Sequence, residues 1–287
     1  AANGRFLAEM GGRRVNEHAA VAVARAAYIA GFDATSNLEA GRSWGIKTMG
    51  TAAHSFVLLH DTEEQAFKAQ LETFGEDTTL LVDTFDIEPA VRRAIALAPN
   101  LGGVRLDSGD LGVEVNRVRA LLDSLGATRT KITVTNDLDE FSIAALATAA
   151  VDAYGVGTSV ATGSGSPTAG FVYKLVSYQD EKLEWRSVAK KSAQKTNVGG
   201  RKHAVRRIDG QGIATAEVIG SEVEVSHDAN DRLLTVNFVE AGVINPDFLG
   251  KEATERARVH HRKAKAELPL QGLRLMRGEA AIPTELI

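Results

Sequence analysis

The chain has 287 residues, no cysteine and a formal net charge of -4. This length is enough to bury a sizeable core, in one large domain or in a barrel with a smaller partner domain. The absence of cysteine excludes disulfide frameworks and thiolate metal sites, and it is typical of a reducing cytoplasm. The small negative charge gives no overall field for nucleic acid or an anionic membrane, and no apolar run reaches spanning length. We therefore expect a cytoplasmic protein with small-molecule partners, no nucleic acid and no membrane.

The first half of the chain alternates short apolar runs with amphipathic segments, which indicates strand and helix units of a parallel sheet. Asn16 precedes a helical segment that Gly31 ends, and Thr62 with Gln65 forms a capping box. Strands are predicted at 32–35, 46–49, 79–82, 101–106, 131–134, 153–156 and 171–176. Helices are predicted at 16–30, 62–75, 88–98, 115–125, 138–150 and 252–267.

Parallel strands joined by helices at this repeat length predict an irregular TIM-like α/β barrel, with a doubly wound open sheet as the alternative. In either fold the ligand site lies at the carboxyl ends of the strands. Beyond about Ser177 the pattern changes to a basic segment, from Arg186 to Arg207, that glycines interrupt. This pattern is typical of hairpins. We therefore predict an α/β barrel over residues 1–178 and part of a smaller, incomplete α+β domain over 179–287.

Carboxylates and an arginine follow one predicted strand, in the segment Gly-Val-Arg-Leu-Asp-Ser-Gly-Asp at 103–110. Asp107 and Asp110 are three residues apart, and Arg105 lies on the same side of the strand as Asp107. The preceding unit repeats the spacing with Asp83 and Asp86. An arginine–carboxylate pair that braces a loop is one interpretation. Four clustered carboxylates also repel one another unless a ligand neutralises them, so a magnesium ion with bound phosphates is the functional interpretation.

A histidine stands at the same predicted edge, in Gly-Thr-Ala-Ala-His at 50–54. The small residues before His54 let a ligand approach the backbone. A lone histidine after a strand is commonly a satisfied hydrogen-bonding residue. Its place beside the carboxylates favours instead a general base or a nucleophile that accepts a phosphoryl group.

Two further segments could bind anions. Gly155-Val156-Gly157-Thr158 offers backbone amides to a phosphate, although the pattern matches neither the Walker motif nor the dinucleotide fingerprint. Arg13 and Arg14 precede the first predicted helix, where they could hold a carboxylate or phosphate. Exposed arginines are more often only solvated, and the basic segment from Arg186 has few aromatic residues of the kind that bind nucleic acid.

Taken together, these motifs resemble the nicotinate phosphoribosyltransferase family, the ATP-assisted type II phosphoribosyltransferases. Eight motifs carry the resemblance in order along the chain. They are Gly-Arg-Arg at 12–14, Gly31 with Thr-Ser-Asn at 35–37, Gly-Thr-Ala-Ala-His at 50–54, Val-Asp-Thr-Phe-Asp at 82–86, the 103–110 segment, Asn-Asp-Leu-Asp-Glu at 136–140, Gly-Val-Gly-Thr at 155–158 and Val-Tyr-Lys-Leu at 172–175. After Leu175 the match weakens.

The resemblance implies a reaction of nicotinate with phosphoribosyl pyrophosphate that yields nicotinate mononucleotide and pyrophosphate, coupled to ATP hydrolysis in a homodimer. His54 would become the phosphohistidine. Asp83, Asp107 and Asp110 would act on the ribose hydroxyls and on the magnesium of pyrophosphate, with Asp83 and Asp107 as the metal ligands. The implied substrate-binding residues are Arg13, Ser36, Asn37, Thr51, Arg105, Ser108, Asn136, Asp137, Gly157 and Thr158.

The sequence also departs from the family pattern. Met10 stands where relatives commonly carry an aromatic residue, and Gly12 where they often have serine or a larger side chain. The family has a further N-terminal segment that is absent here, so the resemblance implies an incomplete chain. Nicotinamide or quinolinate phosphoribosyl transfer remains an alternative, as does a non-catalytic fragment that retains phosphate binding.

Overall fold

The computed structural model describes residues 1–192 and 195–287, which divide into two compact units, Ala1–Pro167 and Thr168–Ile287. The sequence placed this boundary after residue 178 because it assigned 171–176 to the barrel as a strand. In the structure that segment forms no strand, and Phe171 and Tyr173 are fully exposed. Among the described residues, no helix combines the length and apolarity that a bilayer crossing requires.

The first unit is built on a six-stranded parallel sheet. Its strands are β1 (Phe6–Glu9), β2 (Ala34–Thr35), β3 (Thr79–Leu81), β4 (Gly103–Leu106), β5 (Lys131–Val134) and β6 (Ala153–Val156). They are ordered β2-β1-β6-β5-β4-β3, so the first and last strands of the unit are neighbours. This is the cyclic order of a barrel with no pairing between β2 and β3. The predicted parallel α/β sheet is confirmed, whereas a closed sheet is not found among the described residues.

Two of the predicted strands differ in the structure. The first predicted strand is reduced to β2, and the 46–49 segment contributes only a parallel bridge from Thr48 to Thr35. In contrast, β1 was not predicted at all, although it pairs with both β2 and β6. Five of the seven predicted strands are therefore present in the sheet, and β1 brings the number of paired strands in this unit to six.

Helices connect the strands of this unit. They are α1 (Glu17–Ala30), α2 (Leu38–Trp44), α3 (His54–Leu58), α4 (Glu63–Phe74), α5 (Ile87–Leu97), α6 (Leu111–Ser124), α7 (Glu140–Ala145) and α8 (Thr158–Ala161). Asn16 caps α1, and Gly31 ends it with a φ of 119°, a value that suits glycine. The predicted capping box of α4 is present in both directions. These local signals were therefore sufficient to place both helices.

The core of this unit lies between the helices and one face of the sheet. The buried face of α6 is formed by Val115, Val118 and Leu122, as its helical spacing predicts. They pack in one cluster with strand residues such as Val104 and Ile132. Full burial of each such side chain stabilises the fold by about 1.5–3 kcal/mol. The sheet is thus held rigidly beneath the loops at its carboxyl edge.

Helix α7 is shorter than predicted, since the sequence extended it to Ala150. The side chain of Arg5 donates hydrogen bonds to the carbonyls of Leu146, Ala147 and Ala149, at 3.0, 2.7 and 3.2 Å. Carbonyls at the end of a helix need such partners. Arg5 therefore stabilises the chain where α7 ends, at Ala145 and before the predicted end at Ala150.

The second unit consists mainly of antiparallel strands and one long helix. Its strands are β7 (Ser177–Gln179), β8 (Trp185–Ser187), β9 (Lys191–Ser192), β10 (Lys195–Thr196), β11 (Lys202–Ile208), β12 (Ala214–Ser221), β13 (Arg232–Leu233), β14 (Val239–Glu240), β15 (Val243–Ile244) and β16 (Thr284–Leu286), and its helix is α9 (Gly250–Ala266). The order β13-β11-β12-β16 forms its largest sheet. Arg206 pairs with Glu217 and Glu267, so part of the basic segment serves the unit's own stability.

Candidate active site

A cleft of about 410 Å³ lies at the carboxyl ends of the parallel strands, where the sequence predicted the site. Loops that follow several strands contribute its walls. Its lining consists of Met10, Arg13, Arg14, Ser36, Gly50, Thr51, Ala53, His54, Arg105, Asp107, Thr135, Asn136, Asp137, Gly155, Gly157 and Thr158. Ten of the fourteen residues predicted for the site are therefore brought together by the fold.

His54 is held between a hydroxyl and two carboxylates. It is the first residue of α3, and its Nδ1 lies 3.0 Å from Thr84 Oγ1. Its Nε2 faces Asp107 Oδ2 at 3.5 Å and Asp83 Oδ1 at 4.0 Å. The side chain is 38% exposed. The imidazole is thus oriented on both sides yet open to a ligand, which is the arrangement of a base or nucleophile.

Asp83 lies beneath the cleft, with a side chain only 1% exposed. Its Oδ2 accepts hydrogen bonds of 2.7 Å from the Asp107 amide and from Ser108 Oγ. Its Oδ1 has no hydrogen-bond partner, and it is directed towards His54. A buried oxygen without a partner is costly. This oxygen therefore lacks a partner that a bound cation or a donor group of a ligand could supply.

Asp107 belongs to a network with Arg105 and Thr135. Arg105 Nη2 lies 2.9 Å from Asp107 Oδ1. Arg105 Nε donates a hydrogen bond of 2.9 Å to Thr135 Oγ1, and this hydroxyl donates in turn to Asp107 Oδ1. Burial alone would raise the pKa of Asp107. The hydrogen bonds from Thr135 and Arg105, together with the charges of Arg105 and His54, outweigh the effect of burial, so the pKa of Asp107 is lowered overall. Asp107 therefore carries a negative charge at neutral pH.

The guanidinium group of Arg105 is bonded to other groups of the protein. Besides the contacts above, its Nη1 donates to Thr51 Oγ1 at 2.6 Å and to the Ala52 carbonyl at 3.1 Å. Its side chain is 14% exposed. The arginine thereby joins the loop before His54 to β4 and β5. Arg13 and Arg14, in contrast, are exposed at the cleft and available to an anion.

The cleft wall formed by the segment after β5 has an unusual backbone. Asn136 and Asp137 adopt φ values of 97° and 44°. Non-glycine residues with positive φ are uncommon, and they cluster at functional sites. Thr158 Oγ1 donates to Asp137 Oδ1 at 3.3 Å. Gly155 allows a close approach, since a Cβ there would lie 2.7 Å from Met10 Sδ.

Four predicted site residues do not line the cleft. The buried Asp83 side chain and the exposed Ser108 are joined to each other and to Asp107 through the contacts already described. Asn37 caps α2 by accepting from the Ala40 amide at 2.8 Å. Asp110 caps α6 by accepting from the Val113 amide at 3.3 Å. The predicted gathering of four carboxylates is not found, because Asp110 and Asp86 stand at helix N-termini.

Several residues of the site were not predicted from the sequence. Thr135 and Thr84 position Asp107 and His54, but a threonine near a strand end is too common a feature to single out. Arg14, in contrast, was indicated by the sequence together with Arg13 as an anion-binding candidate, and both residues line the cleft. Met10 also lines the cleft, directly after β1. The short apolar run before Met10 was the available signal for that strand.

The carboxylates are compatible with a magnesium ion that arrives with its substrate. Among the described residues, no three histidine, cysteine or acidic side chains form a metal-binding group. Magnesium, however, usually keeps its waters and binds through one or two carboxylates together with substrate phosphates. Asp83 Oδ1, which has no hydrogen-bond partner, and Asp107 Oδ2, which faces His54, are the two carboxylate oxygens of such a pair. The chemistry of these donors therefore fits such an ion.

Comparison with solved structures reveals the same fold in two proteins. A nicotinate-nucleotide pyrophosphorylase from Pyrococcus furiosus superimposes with a TM-score of 0.78 and 23% identity, over 93% of this chain and 67% of that one. Human nicotinic acid phosphoribosyltransferase gives a TM-score of 0.75 and 21% identity, over 98% and 68% of the two chains. At such identities the likeness concerns the fold alone.

Sequence comparison is more specific. Nicotinate phosphoribosyltransferase pncB1 of Mycobacterium tuberculosis is 48% identical over the whole of this chain, which spans 64% of that relative. The Bacillus subtilis nicotinate phosphoribosyltransferase is 39% identical over 70% of this chain and 43% of its own length. The chain thus covers less than two thirds of these relatives. A sequence model of the nicotinate phosphoribosyltransferase (NAPRTase) family matches residues 6–215, which include the entire cleft, and the chain therefore belongs to this family.

Proposed function

We propose that this cleft transfers a phosphoribosyl group from phosphoribosyl pyrophosphate to nicotinate, with coupled hydrolysis of ATP in NAD biosynthesis. The observation that carries the proposal is the juxtaposition of His54 with Asp83 and Asp107 at a cleft that two exposed arginines also line. The relatives identified by sequence comparison are named for this activity.

The transfer breaks the bond from ribose C1′ to pyrophosphate and forms a bond from C1′ to the pyridine nitrogen. Positive charge develops on the ribose as the pyrophosphate leaves, and the negative charge of Asp107 stabilises it. Asp83 and Asp107 would hold magnesium, which supplies positive charge to the leaving pyrophosphate. Asn136, Asp137, Gly157 and Thr158 would bind the 5′-phosphate. Thr51 and Arg105 would then act mainly by holding the loop before His54.

His54 would accept the γ-phosphoryl group of ATP, releasing ADP, and water would later release phosphate. Thr84 and Asp107 hold the ring in one orientation, as nucleophilic catalysis requires. The added negative charge beside the carboxylates would change the affinity of the cleft for its anionic substrate. ATP hydrolysis would in this way be coupled to product formation.

Labelled ATP tests the phosphohistidine. We expect an acid-labile label on the full-length protein in the presence of magnesium, and none on His54→Ala. The variant should keep a slower, ATP-independent transfer, because the carboxylates remain and so does the phosphate-binding wall formed by Asn136, Asp137, Gly157 and Thr158. A label retained by His54→Ala would remove this residue from the mechanism. His60→Ala is the matched control, since His60 bonds to the Phe56 carbonyl away from the cleft lining.

The preferred base follows from the charges near the cleft entrance. Arg13, Arg14 and the neutral Ser36 suit the carboxylate of nicotinate, whereas an acidic side chain there would favour the amide of nicotinamide. We expect faster turnover of nicotinate than of nicotinamide or quinolinate when each is supplied with phosphoribosyl pyrophosphate. Faster use of either rival base would overturn this assignment. Substrate binding without any turnover would instead favour a non-catalytic role.

We further propose a cytoplasmic homodimer in which the sheet closes as an irregular barrel. The cyclic strand order, with one unpaired seam between β2 and β3, supports closure. The absence of cysteine from the chain suits a reducing compartment. Light scattering of the full-length protein tests the dimer, and a monomeric mass at working concentration would contradict it.

A further inference from the structure

Glu9 is a buried carboxylate that the proposed chemistry does not use. It is the last residue of β1 and is 1% exposed. Burial of a charged group is costly unless its oxygens find donors. Both oxygens do, since Oε1 accepts from the Gly11 amide at 2.5 Å and Oε2 from Thr35 Oγ1 at 2.6 Å. Glu9 therefore joins the segment that follows β1 to the end of β2.

These two segments lead into polar residues that line the cleft. Gly11 begins the turn that presents Arg13 and Arg14, and its carbonyl accepts from the Arg14 amide at 2.9 Å. On the other side, the Glu9 carbonyl accepts from the Ser36 amide at 2.8 Å. Thr35 Oγ1 also accepts from the Asn37 amide at 3.0 Å. Glu9 is thus bonded to both of these segments, directly or through Thr35.

The arginine-bearing turn is also packed tightly on its opposite side. A Cβ on Gly11 would lie 2.6 Å from Ala161 Cβ and 2.7 Å from the Gly157 carbonyl oxygen. Such distances leave no space for a side chain. The turn is therefore fixed between Glu9 and helix α8 with its N-cap, and a change at Glu9 must be transmitted to the arginines.

We propose that Glu9 is a positioning residue for the subsite that binds the pyridine base. It acts through Gly11 and Thr35, which place the arginine turn and Ser36 at the distance that the base carboxylate requires. This inference rests on the proposed function, because that function assigns the arginine turn and Ser36 to the base. The carboxylates are not bonded to Glu9, and the phosphate-binding wall meets the Gly11 turn through packing at Gly157, so we expect phosphoribosyl pyrophosphate binding to change less than binding of the base.

Glu9→Gln tests the proposal with little change in shape. The amide nitrogen of glutamine cannot accept a hydrogen bond, so either Gly11 or Thr35 loses its acceptor. We expect the KM for nicotinate to rise roughly tenfold, as small displacements of positioning groups commonly cause. The kcat and the KM for phosphoribosyl pyrophosphate should stay close to the wild-type values. Thr35→Val should act in the same direction, and Thr35→Ser should restore the wild-type KM.

Glu63→Gln is the matched control, because Glu63 is also buried, at 7% exposure, but pairs with Arg93 away from the cleft lining. It should leave the KM for nicotinate unchanged. A merely structural role of Glu9 would lower thermal stability and alter all kinetic constants together, and that result would overturn the proposal. An unchanged KM for nicotinate in Glu9→Gln would overturn it as well.

Amide hydrogen exchange separates this inference from the proposed function. If the wild-type protein forms no nucleotide, the proposed function fails, and the loop-positioning role is then read from the amides of Gly11 and Ser36. Faster exchange at these two amides in Glu9→Gln, with the rest of the sheet unchanged, supports the role. Unchanged exchange at both amides overturns it.

Discussion

Two pairs of aspartates, Asp83 with Asp86 and Asp107 with Asp110, share one spacing. The first and the second member of each pair, however, lie in different surroundings. Asp83 and Asp107 come after β3 and β4, and both side chains face His54. Asp86 and Asp110, three residues later in each unit, are exposed and stand at the N-termini of α5 and α6. The first member of each pair is at the end of a strand, and the second is at the start of a helix.

This difference follows from the path of the chain. A residue at the end of a parallel strand is directed into the rim of the sheet, where ligands bind. Three residues later the chain has turned back, and an acidic side chain is favourable beside the positive end of the helix dipole. Position relative to the strand end, and not the spacing of the two carboxylates, therefore decides which aspartate serves the cleft.

Replacement of the strand-end aspartate should have the largest effect. Asp107→Asn keeps the shape and one acceptor oxygen but removes the charge, so we expect kcat to fall on the order of 10²–10³-fold. The thermal midpoint should change little, since Thr135 and Arg105 can still donate to the amide oxygen. Product formation and calorimetry on the same samples provide the check. Unfolding of this variant at ordinary temperature would mean that its pair with Arg105 is structural.

Replacement of the helix-cap aspartate should affect stability instead of activity. Asp110→Ala removes the hydrogen bond to the Val113 amide, which should cost about 1 kcal/mol of unfolding free energy. The turnover should be retained, although the family resemblance implies a catalytic role for this residue. Asp86→Ala is the matched control, because Asp86 makes no side-chain capping bond, and it should cost less than about 0.5 kcal/mol. Loss of turnover in Asp110→Ala but not in Asp86→Ala would contradict the distinction between strand-end and helix-cap aspartates.

The smallest effect concerns the dependence of stability on pH. The folded-state pKa of Asp107 is lowered, so its ionised form stabilises the fold above the unfolded-state pKa, and that stabilisation is lost as the pH falls through the folded value. We therefore expect the stability difference between wild type and Asp107→Asn to shrink below about pH 4. Urea unfolding of both proteins between pH 7 and pH 3 measures this difference. Parallel curves would show that Asp107 is not stabilised by its charge.

Local signals in the sequence were enough for much of the fold. The cap at Asn16, the capping box at Thr62 and the short β-branched run of β5 depend on neighbouring residues only, and the structure has each of them in place. Features that depend on distant residues were missed. The end of α7 requires Arg5, and β1 requires its two neighbouring strands. The apolar segment at 171–176 has the composition of a strand but pairs with none.

The same distinction applies to the cleft. The polar motifs indicated which loops meet at the rim, because the carboxyl ends of parallel strands share one edge. The pair of Arg105 with Asp107 was one of the two interpretations that the sequence offered. The motifs could not indicate that Arg105 also donates to Thr51, or that Asn37 caps a helix, since both depend on side-chain partners fixed by packing. Glu9 was overlooked for the same reason, because its role exists only through Gly11 and Thr35.

The most direct test of the account is to measure nucleotide formation by the full-length protein from nicotinate and phosphoribosyl pyrophosphate with magnesium. We expect nicotinate mononucleotide and pyrophosphate in equal amounts, faster formation when ATP is added, and almost complete loss in Asp107→Asn but not in Asp110→Ala. The absence of product from the wild-type protein, or equal rates in the wild type and Asp107→Asn, would contradict the assignment of this cleft to phosphoribosyl transfer.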